Sequence, residues 1–415
     1  MTSTDYQAAL LRAAHRTPVT GLTIGIEREG QRVTSTGQLA RRDLATAVPR
    51  PVRGLTRDFA ETQLELVTPT MTSTNAALAA LARIQHGVSS QLRPTELIWP
   101  LSMPPTLPRA SEAIVIAKLS PQAFAYRQQL ARRGGRRRQM ISGLHVNVGF
   151  SAALLDQLFA QQAGPMNRRE FQNQLYLHVA QNYLRYRWLL TYAFGASPTR
   201  WPRLLTHTGP AEPVRSIRNS PFGYTNLSRL QVSYCSVAAY VTDLKHLVAT
   251  GQLGAEKAFY GQVSLRGGHA VTDLAATGID YLELRNFDLN PFDPLGVDQV
   301  QLDFLHGFIL LMLSLPAPQN VAAAIHYGEQ LNRQVALERP TAETAQLAEG
   351  RWLLAQFDQL VVQLGVPAFQ TASWVVRSRL AHPEQTPAAR WLRDCQHQPT
   401  KLALALARHH ARVRF

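Results

Sequence analysis

Four short segments of this chain alternate apolar residues with chemically active ones, and that alternation constrains the fold more than any other feature. Successive side chains of a strand point to opposite faces. In the first segment Ile24, Ile26 and Arg28 point one way, and Gly25, Glu27 and Glu29 the other. The second closes with Gln63 to Val67 and is stopped by Pro69; Leu64 and Leu66 face inward, with Gln63 and Glu65 opposite. A helical reading of that stretch gathers Asp58, Glu61 and Glu65 on one side instead, and either geometry leaves Glu65 on a polar face. In the third, Leu144, Val146 and Val148 oppose Gly143, His145 and Asn147, and Gly143 leaves room for a ligand to approach. In the fourth, Leu282 and Leu284 oppose Glu283 and Arg285.

Taken singly, each segment is compatible with a solvated strand or a structural ion pair. Together they predict an antiparallel sheet with one face on the core, one face open, and helices behind it. Carboxylates two apart on a strand lie about 6.6 Å apart on one face. Such groups repel unless something positive lies between them, and hard carboxylate oxygens suit magnesium held together with substrate phosphates. No GxxxxGK[ST] or GxGxxG motif is present, so phosphates would be held by metal ions and arginines. Arg215 and Arg218, in a loop near 215–224, are candidates to clamp anionic oxygens.

The 415 residues, 45% hydrophobic, suffice for a large globular unit. Two distant cysteines exclude a disulfide framework and a cysteine-rich zinc site. The first 16 residues lack the pattern of a secretory signal, and no apolar run is long enough to span a membrane, so a cytoplasmic protein with no membrane partner is expected. A net charge of +15 favours polyanions without naming one. The run Arg132 to Arg138 is a candidate for nucleic acid, but no aromatics interleave it. It reads better as a solvated turn, and a nucleic-acid partner is not expected. Helices are expected over 5–16, 72–94, 121–133 and 169–195 and through most of 294–415, with a hairpin partner strand near Gln31 to Thr34.

The segments also carry a resemblance. Gly25 to Glu29, Asp58-Phe-Ala-Glu61, Leu64-Glu-Leu-Val-Thr-Pro69, Trp99-Pro-Leu-Ser-Met-Pro104, Ile141-Ser-Gly-Leu-His145 with Asn147, Gly223-Tyr-Thr-Asn226, and Tyr281 to Asp288 with Asn290-Pro-Phe292 resemble the bacterial glutamate–cysteine ligases in order and spacing. A weaker echo runs from Leu331 to Pro340. The resemblance implies an α+β fold: a curved, mainly antiparallel sheet of the glutamine synthetase-like carboxylate–amine ligases, one face forming the active site and helices packed on the other. It implies one catalytic domain over 1–415, helical from about 300 onward, with no ATP-grasp domain. The implied reaction joins L-glutamate to L-cysteine with ATP as co-substrate, through γ-glutamyl phosphate, as the first step toward glutathione.

By motif position, Glu27, Glu29, Asp58, Glu65, His145 and Glu283 match ligands of Mg²⁺ or Mn²⁺ and of the nucleotide phosphates. Arg285 matches the arginine beside the transferred phosphoryl group and Arg218 a substrate-binding, catalytic arginine; Asn147 and Arg266 fall with the phosphate contacts. Phe59, Tyr126, Leu130, Ile141 and Tyr224 match the cysteine pocket, and Arg127 is counted with the substrate-binding residues. Ser264 and Val146 depart from the pattern, where the family usually has arginine and tyrosine; Ser264 puts one anion contact in doubt unless Arg266 supplies it. A γ-glutamyl ligase for another amine and a nucleotide-binding paralogue of weak activity are the competing readings. A monomer or small homo-oligomer is expected.

Overall fold

A single strand of thirteen residues, Leu22–Thr34 (β1), is the spine of the sheet. In the computed structural model, which describes residues 3–14, 21–162, 164–199, 209–223 and 230–413, β1 pairs with three other strands. Its first half lies against β5 (Leu144–Phe150), its middle against β3 (Gln63–Val67) and its far end against β4 (Glu96–Ile98). With β2 (Leu55–Arg57), β6 (Val263–Arg266) and β7 (Tyr281–Phe287), the order is β2-β3-β1-β5-β7-β6, every pairing antiparallel.

The expected hairpin near Gln31 is absent, because β1 continues without a turn. Gly30 pairs with Leu64 and Gln31 with Gln63 in register. Gln31 is satisfied where it lies. It is fully buried, donates to the Met140 carbonyl at 3.1 Å and accepts from Thr62 Oγ1 at 2.9 Å. The helical alternative for 58–65 also fails, since Gln63–Val67 is strand and Asp58 precedes it in a loop.

The back of the sheet is apolar as the alternation requires. Ile24, Ile26, Leu64, Leu66, Leu144, Val146, Val148, Leu282 and Leu284 are all buried. Helices cover this face: α1 (Ser3–Ala14), α3 (Thr74–Ser89), α6 (Arg168–Tyr186) and α10 (Gln299–Ser314) share its core. Short helices α2 (Leu44–Ala47), α5 (Ala152–Phe159) and α9 (Leu274–Thr277) edge the unit, and α8 (Val237–Ala249) packs near β6. Serines start the helices where the sequence places them: Ser73 caps α3 and Ser120 caps α4 (Pro121–Gly134), each accepting from a backbone amide of the first turn.

The helix expected over 169–195 is two, α6 and α7 (Trp188–Phe194), broken at Arg187. That arginine is fully buried and reaches sideways to Gln262 Oε1 at 2.9 Å and to Glu329, so its side chain serves a tertiary contact at the joint. The C-terminal part is helical as expected: α11 (Val321–Leu337), α12 (Leu347–Leu364), α13 (Pro367–Ala381), α14 (Pro387–Cys395) and α15 (Pro399–His410). Helices α12 and α13 bury α10, and α15 closes over β4. Among the described residues, no helix is long and apolar enough to cross a membrane.

Candidate active site

Register brings the chemical residues together. Glu27 pairs with His145 across β1 and β5. One rung further, Gly25, Asn147, Glu283 and Ser264 form a row across β1, β5, β7 and β6. Glu29 lies opposite Glu65 of β3. Between Val146 and Leu144 the β5–β7 register shifts by one residue, a bulge that falls at Arg285 and Asn286 of β7 and re-aims that strand as it leaves the row. The Arg285 amide then bonds the Gln262 carbonyl at 3.0 Å.

His145 stands among three carboxylates. Its Nδ1 lies 3.4 Å from Glu27 Oε2 and 3.5 Å from Glu283 Oε1, and its Nε2 lies 3.6 Å from Glu29 Oε1. One ligand atom each from Glu27, His145 and Glu283 fit within 4.8 Å of one another. Asn147 Nδ2 donates to Glu27 Oε1 at 2.8 Å, so this amide orients a carboxylate and is not in the cavity wall, unlike the phosphate contact expected for it. Glu29 accepts from the Gly143 amide at 2.8 Å.

The carboxylates differ in charge state. Burial works against ionisation of Glu283, but Arg285, Arg266 and His145 overcome it and hold its carboxyl down at about 2. Burial likewise opposes Glu27, and His145 and Asn147 keep its carboxyl below the usual range. Glu65 goes the other way: burial, then Asp58 and Glu27, push it up to about 8. Glu29 is raised well above the ordinary range by burial and by Asp58, and Asp58 by burial despite Arg127, His145 and Arg285. This end of the site is short of positive charge.

A loop over 215–220 carries Arg218 and is stitched to β7. Arg218 donates to the Arg285 carbonyl at 2.6 Å and Asn219 to the Asn286 carbonyl at 3.0 Å. Asp288 holds the loop's neighbour, accepting from Ala196 N at 2.8 Å and Ser197 Oγ at 2.9 Å. The space over Gly143, expected for a ligand, is filled by the Arg218 guanidinium, which a Cβ at that position would strike. Arg215, the other arginine of the loop, is fully buried and pairs with Glu338 at 3.1 Å, outside the site.

The site opens on a cavity of about 410 Å³. Its wall includes Glu27, Glu29, Asp58, Glu65 and His145, the arginines 218, 266 and 285, and an apolar-aromatic part formed by Phe59, Tyr126, Leu130 and Ile141. Arg127 lines it but is spent on backbone, donating to the carbonyls of Arg57 at 3.0 Å, Ala123 at 3.2 Å and Asp58. Glu283 lies behind the wall, between Arg266 and Arg285. Tyr224 lies outside the described residues. The sequence reading missed Gln139, Asn219, Lys257, Tyr260 and Gln262 in the wall. They come from short 3-10 helices (Gln139, Lys257) and loops without alternation; the one signal was the aromatic Tyr260 just ahead of β6.

The basic run has a structural use. Arg136 donates to the carbonyls of Glu112 and Ile114 at 2.9 and 2.8 Å, Arg137 to Pro108 at 3.3 Å, and Arg138 to Gly223 at 2.6 Å. Arg133 reaches the carbonyls of Gly251 and Gln252, both at 3.2 Å. These guanidiniums tie down loops around the cavity.

Known proteins resemble this chain in sequence and fold. The glutamate–cysteine ligase family model matches residues 8–257 and 250–334. The glutathione biosynthesis bifunctional protein of Enterococcus faecalis is 39% identical over 387 residues, 92% of this chain and 51% of that protein. The corresponding protein of Streptococcus thermophilus is 38% identical over 401 residues, 94% of this chain and 52% of that protein. The crystal structure of a bifunctional glutathione synthetase from Pasteurella multocida superposes with a TM-score of 0.90 at 34% identity, covering 99% of this chain and 54% of that one. A glutamate–cysteine ligase of Francisella tularensis, solved in complex with AMP, shares the fold at a TM-score of 0.85 and 22% identity, over 94% of this chain and 88% of that one. The chain therefore spans about half the length of the curated relatives it matches, and by the family-model match and these identities it belongs to the glutamate–cysteine ligase family.

Proposed function

We propose that this chain joins the γ-carboxylate of L-glutamate to the amine of L-cysteine, using ATP, with γ-glutamyl phosphate between the two steps. One observation carries the reading: a single cavity joins an acidic, arginine-flanked centre to a small apolar-aromatic compartment. The first suits polyphosphate chemistry and the second a compact thiol side chain.

The donor set fits a hard divalent cation. Glu27, His145 and Glu283 converge within 4.8 Å, and the carboxyls of Glu29, Asp58 and Glu65 are raised by burial, those of Glu29 and Glu65 also by Asp58, which a cation would relieve. Mg²⁺ or Mn²⁺ bound by these residues supplies neutralising charge to the phosphates. In the first step a glutamate γ-oxygen bonds to the terminal phosphorus of ATP as the bond to ADP breaks. Arg285, fixed by the β7 bulge and by Glu283, faces the charge that builds on the phosphoryl oxygens. Arg218, held over Gly143 and against the Arg285 carbonyl, offers its guanidinium to the glutamate carboxylate. In the second step the cysteine nitrogen bonds to the acyl carbon as the bond from that carbon to the phosphate oxygen breaks, and the nitrogen's extra proton goes to the departing inorganic phosphate. Phe59, Tyr126, Leu130 and Ile141 surround the thiol and keep water from the acyl phosphate.

The test is ADP release with glutamate and each candidate amine, with the product weighed by mass spectrometry. Cysteine should give γ-glutamylcysteine, 2-aminobutyrate a weaker reaction, and lysine none. Lysine turned over as fast as cysteine would overturn the assignment of the acceptor compartment.

A further inference from the structure

We propose that Arg266 is a latch on Glu283, occupying that carboxylate until a polyphosphate draws the guanidinium away and frees it for a cation. This rests on reading the cavity as a nucleotide- and cation-dependent site, and adds how the two ligands are coupled.

Both oxygens of Glu283 are taken. Oε1 accepts from Arg285 Nε at 2.5 Å; Oε2 accepts from Arg266 Nε at 2.7 Å and lies 2.5 Å from its Nη2. The same carboxylate is one of the three groups, with Glu27 and His145, whose ligand atoms converge. Two guanidiniums and a cation thus claim one buried anion. Like charges beside each other in a poorly screened wall repel strongly, so the claims compete.

The two arginines are not equivalent. Arg285 sits on the β7 bulge with its amide bonded to Gln262, its guanidinium 5.7 Å from the Tyr260 ring and its side chain 19% exposed. Arg266 ends β6, the outer strand of the sheet, and its side chain is 32% exposed along the cavity. Ser264, directly opposite Glu283, is uncharged, so Arg266 is the one cation β6 holds over that carboxylate. Phosphate oxygens accept a guanidinium fork as readily as a carboxylate does. A polyphosphate that takes Arg266 releases Oε2 toward Glu27 and His145 and removes a repelling charge. By linkage, whatever the polyphosphate does for the cation, the cation does for the polyphosphate.

The latch makes an unusual prediction: removing an arginine from the site tightens cation binding. Mn²⁺ is titrated by electron paramagnetic resonance into wild type, Arg266→Gln and Arg266→Met, first alone and then with ADP. For Arg266→Gln, Mn²⁺ alone should bind about five-fold tighter or more, the lower end of ordinary coupling between sites. ADP should bind more weakly, and its enhancement of Mn²⁺ affinity should shrink. A merely structural arginine would weaken both ligands. Mn²⁺ binding equal to or weaker than wild type, in a variant with a wild-type melting temperature, overturns the latch. Should Arg266→Gln not fold, Arg266→Met, which keeps the apolar stem and removes the charge, decides in its place: Mn²⁺ must bind tighter than to wild type. ADP release with glutamate and cysteine is measured beside it on wild type. Its absence would count against the ligase reading and not against the latch, which the Mn²⁺ affinities test separately.

Discussion

On the cavity side of the sheet Glu283 is 2% exposed and remains an anion; on the helical side His306 of α10 is 4% exposed and remains neutral. Depth does not explain the difference. Burial opposes charge in both, but Arg285 and Arg266 stand against Glu283, while burial alone acts on His306 and pushes it down to about 4. His178 of α6 behaves like His306, lowered to about 4 mainly by burial. The fold keeps charge only where it supplies a counter-charge. Glu65 marks the place where the supply falls short: burial, Asp58 and Glu27 raise its carboxyl, and burial raises those of Glu29 and Asp58 as well.

The largest break in this comparison is removal of the divalent cation. EDTA should take cysteine-dependent ADP release to background, and Mg²⁺ or Mn²⁺ should restore it. Full turnover in EDTA would mean that the acidic groups are structural. Next comes Arg285→Lys, which keeps the charge but loses the planar fork. Losing a donor aimed at developing charge costs about 10²–10³ in turnover. Steady-state kinetics should show that fall in kcat with ATP affinity changed far less; a wild-type kcat would make Arg285 only the ion-pair partner of Glu283. Gly143→Ala is milder. The added methyl meets the Arg218 guanidinium, which must move off β5. A misplacement near 1 Å costs about 10²-fold. The KM for glutamate should rise with the fall in rate, since Arg218 would be displaced rather than removed. An unchanged KM would separate Arg218 from glutamate binding.

These variants also show what the sequence could and could not convey. Alternation placed Glu27, Glu29, His145 and Glu283 on one face and Ile26, Leu66, Val146 and Leu284 on the other, and the structure agrees. Alternation does not give register, so the meeting of Glu27 with His145 and of Asn147 with Glu283 had to come from strands more than a hundred residues apart. A glycine announces an empty Cβ but not its occupant: over Gly143 that is Arg218, from a distant loop. Gln31 to Thr34 read as a separate hairpin partner strand, yet it continues β1, and Gln31 and Arg32 are buried there. The arginines of 132–138 read as free charge because backbone carbonyls, their actual acceptors, leave no trace in composition.

The smallest expected effect on activity, and the sharpest test of the contrast between the two faces, is His306→Leu. His306 packs on Phe369 with ring centroids 5.0 Å apart, and among the described residues its Nε2 has no hydrogen-bond partner. Its folded pKa, about 4, lies below the 6.5 of an unperturbed histidine. Between these values the unfolded chain binds the extra proton and the native state does not, so stability rises with pH across the window. The neutral form's contribution is complete above pH 6.5 and is lost as pH falls through about 4; at neutral pH it is on the order of 3 kcal/mol. Leucine fills similar volume without a titrating group, and volume-conserving swaps in a core cost less than about 1.5 kcal/mol. His306→Leu should therefore leave kcat unchanged at pH 7.5 and reduce the loss of melting temperature between pH 7 and pH 4.5. His178 would keep part of that acid sensitivity, and a His178→Leu, His306→Leu pair should flatten it further. If the single variant loses as much melting temperature on acidification as wild type, the neutral histidine behind the sheet is not what limits acid stability. The carboxylates of the cavity face would then be the groups to vary.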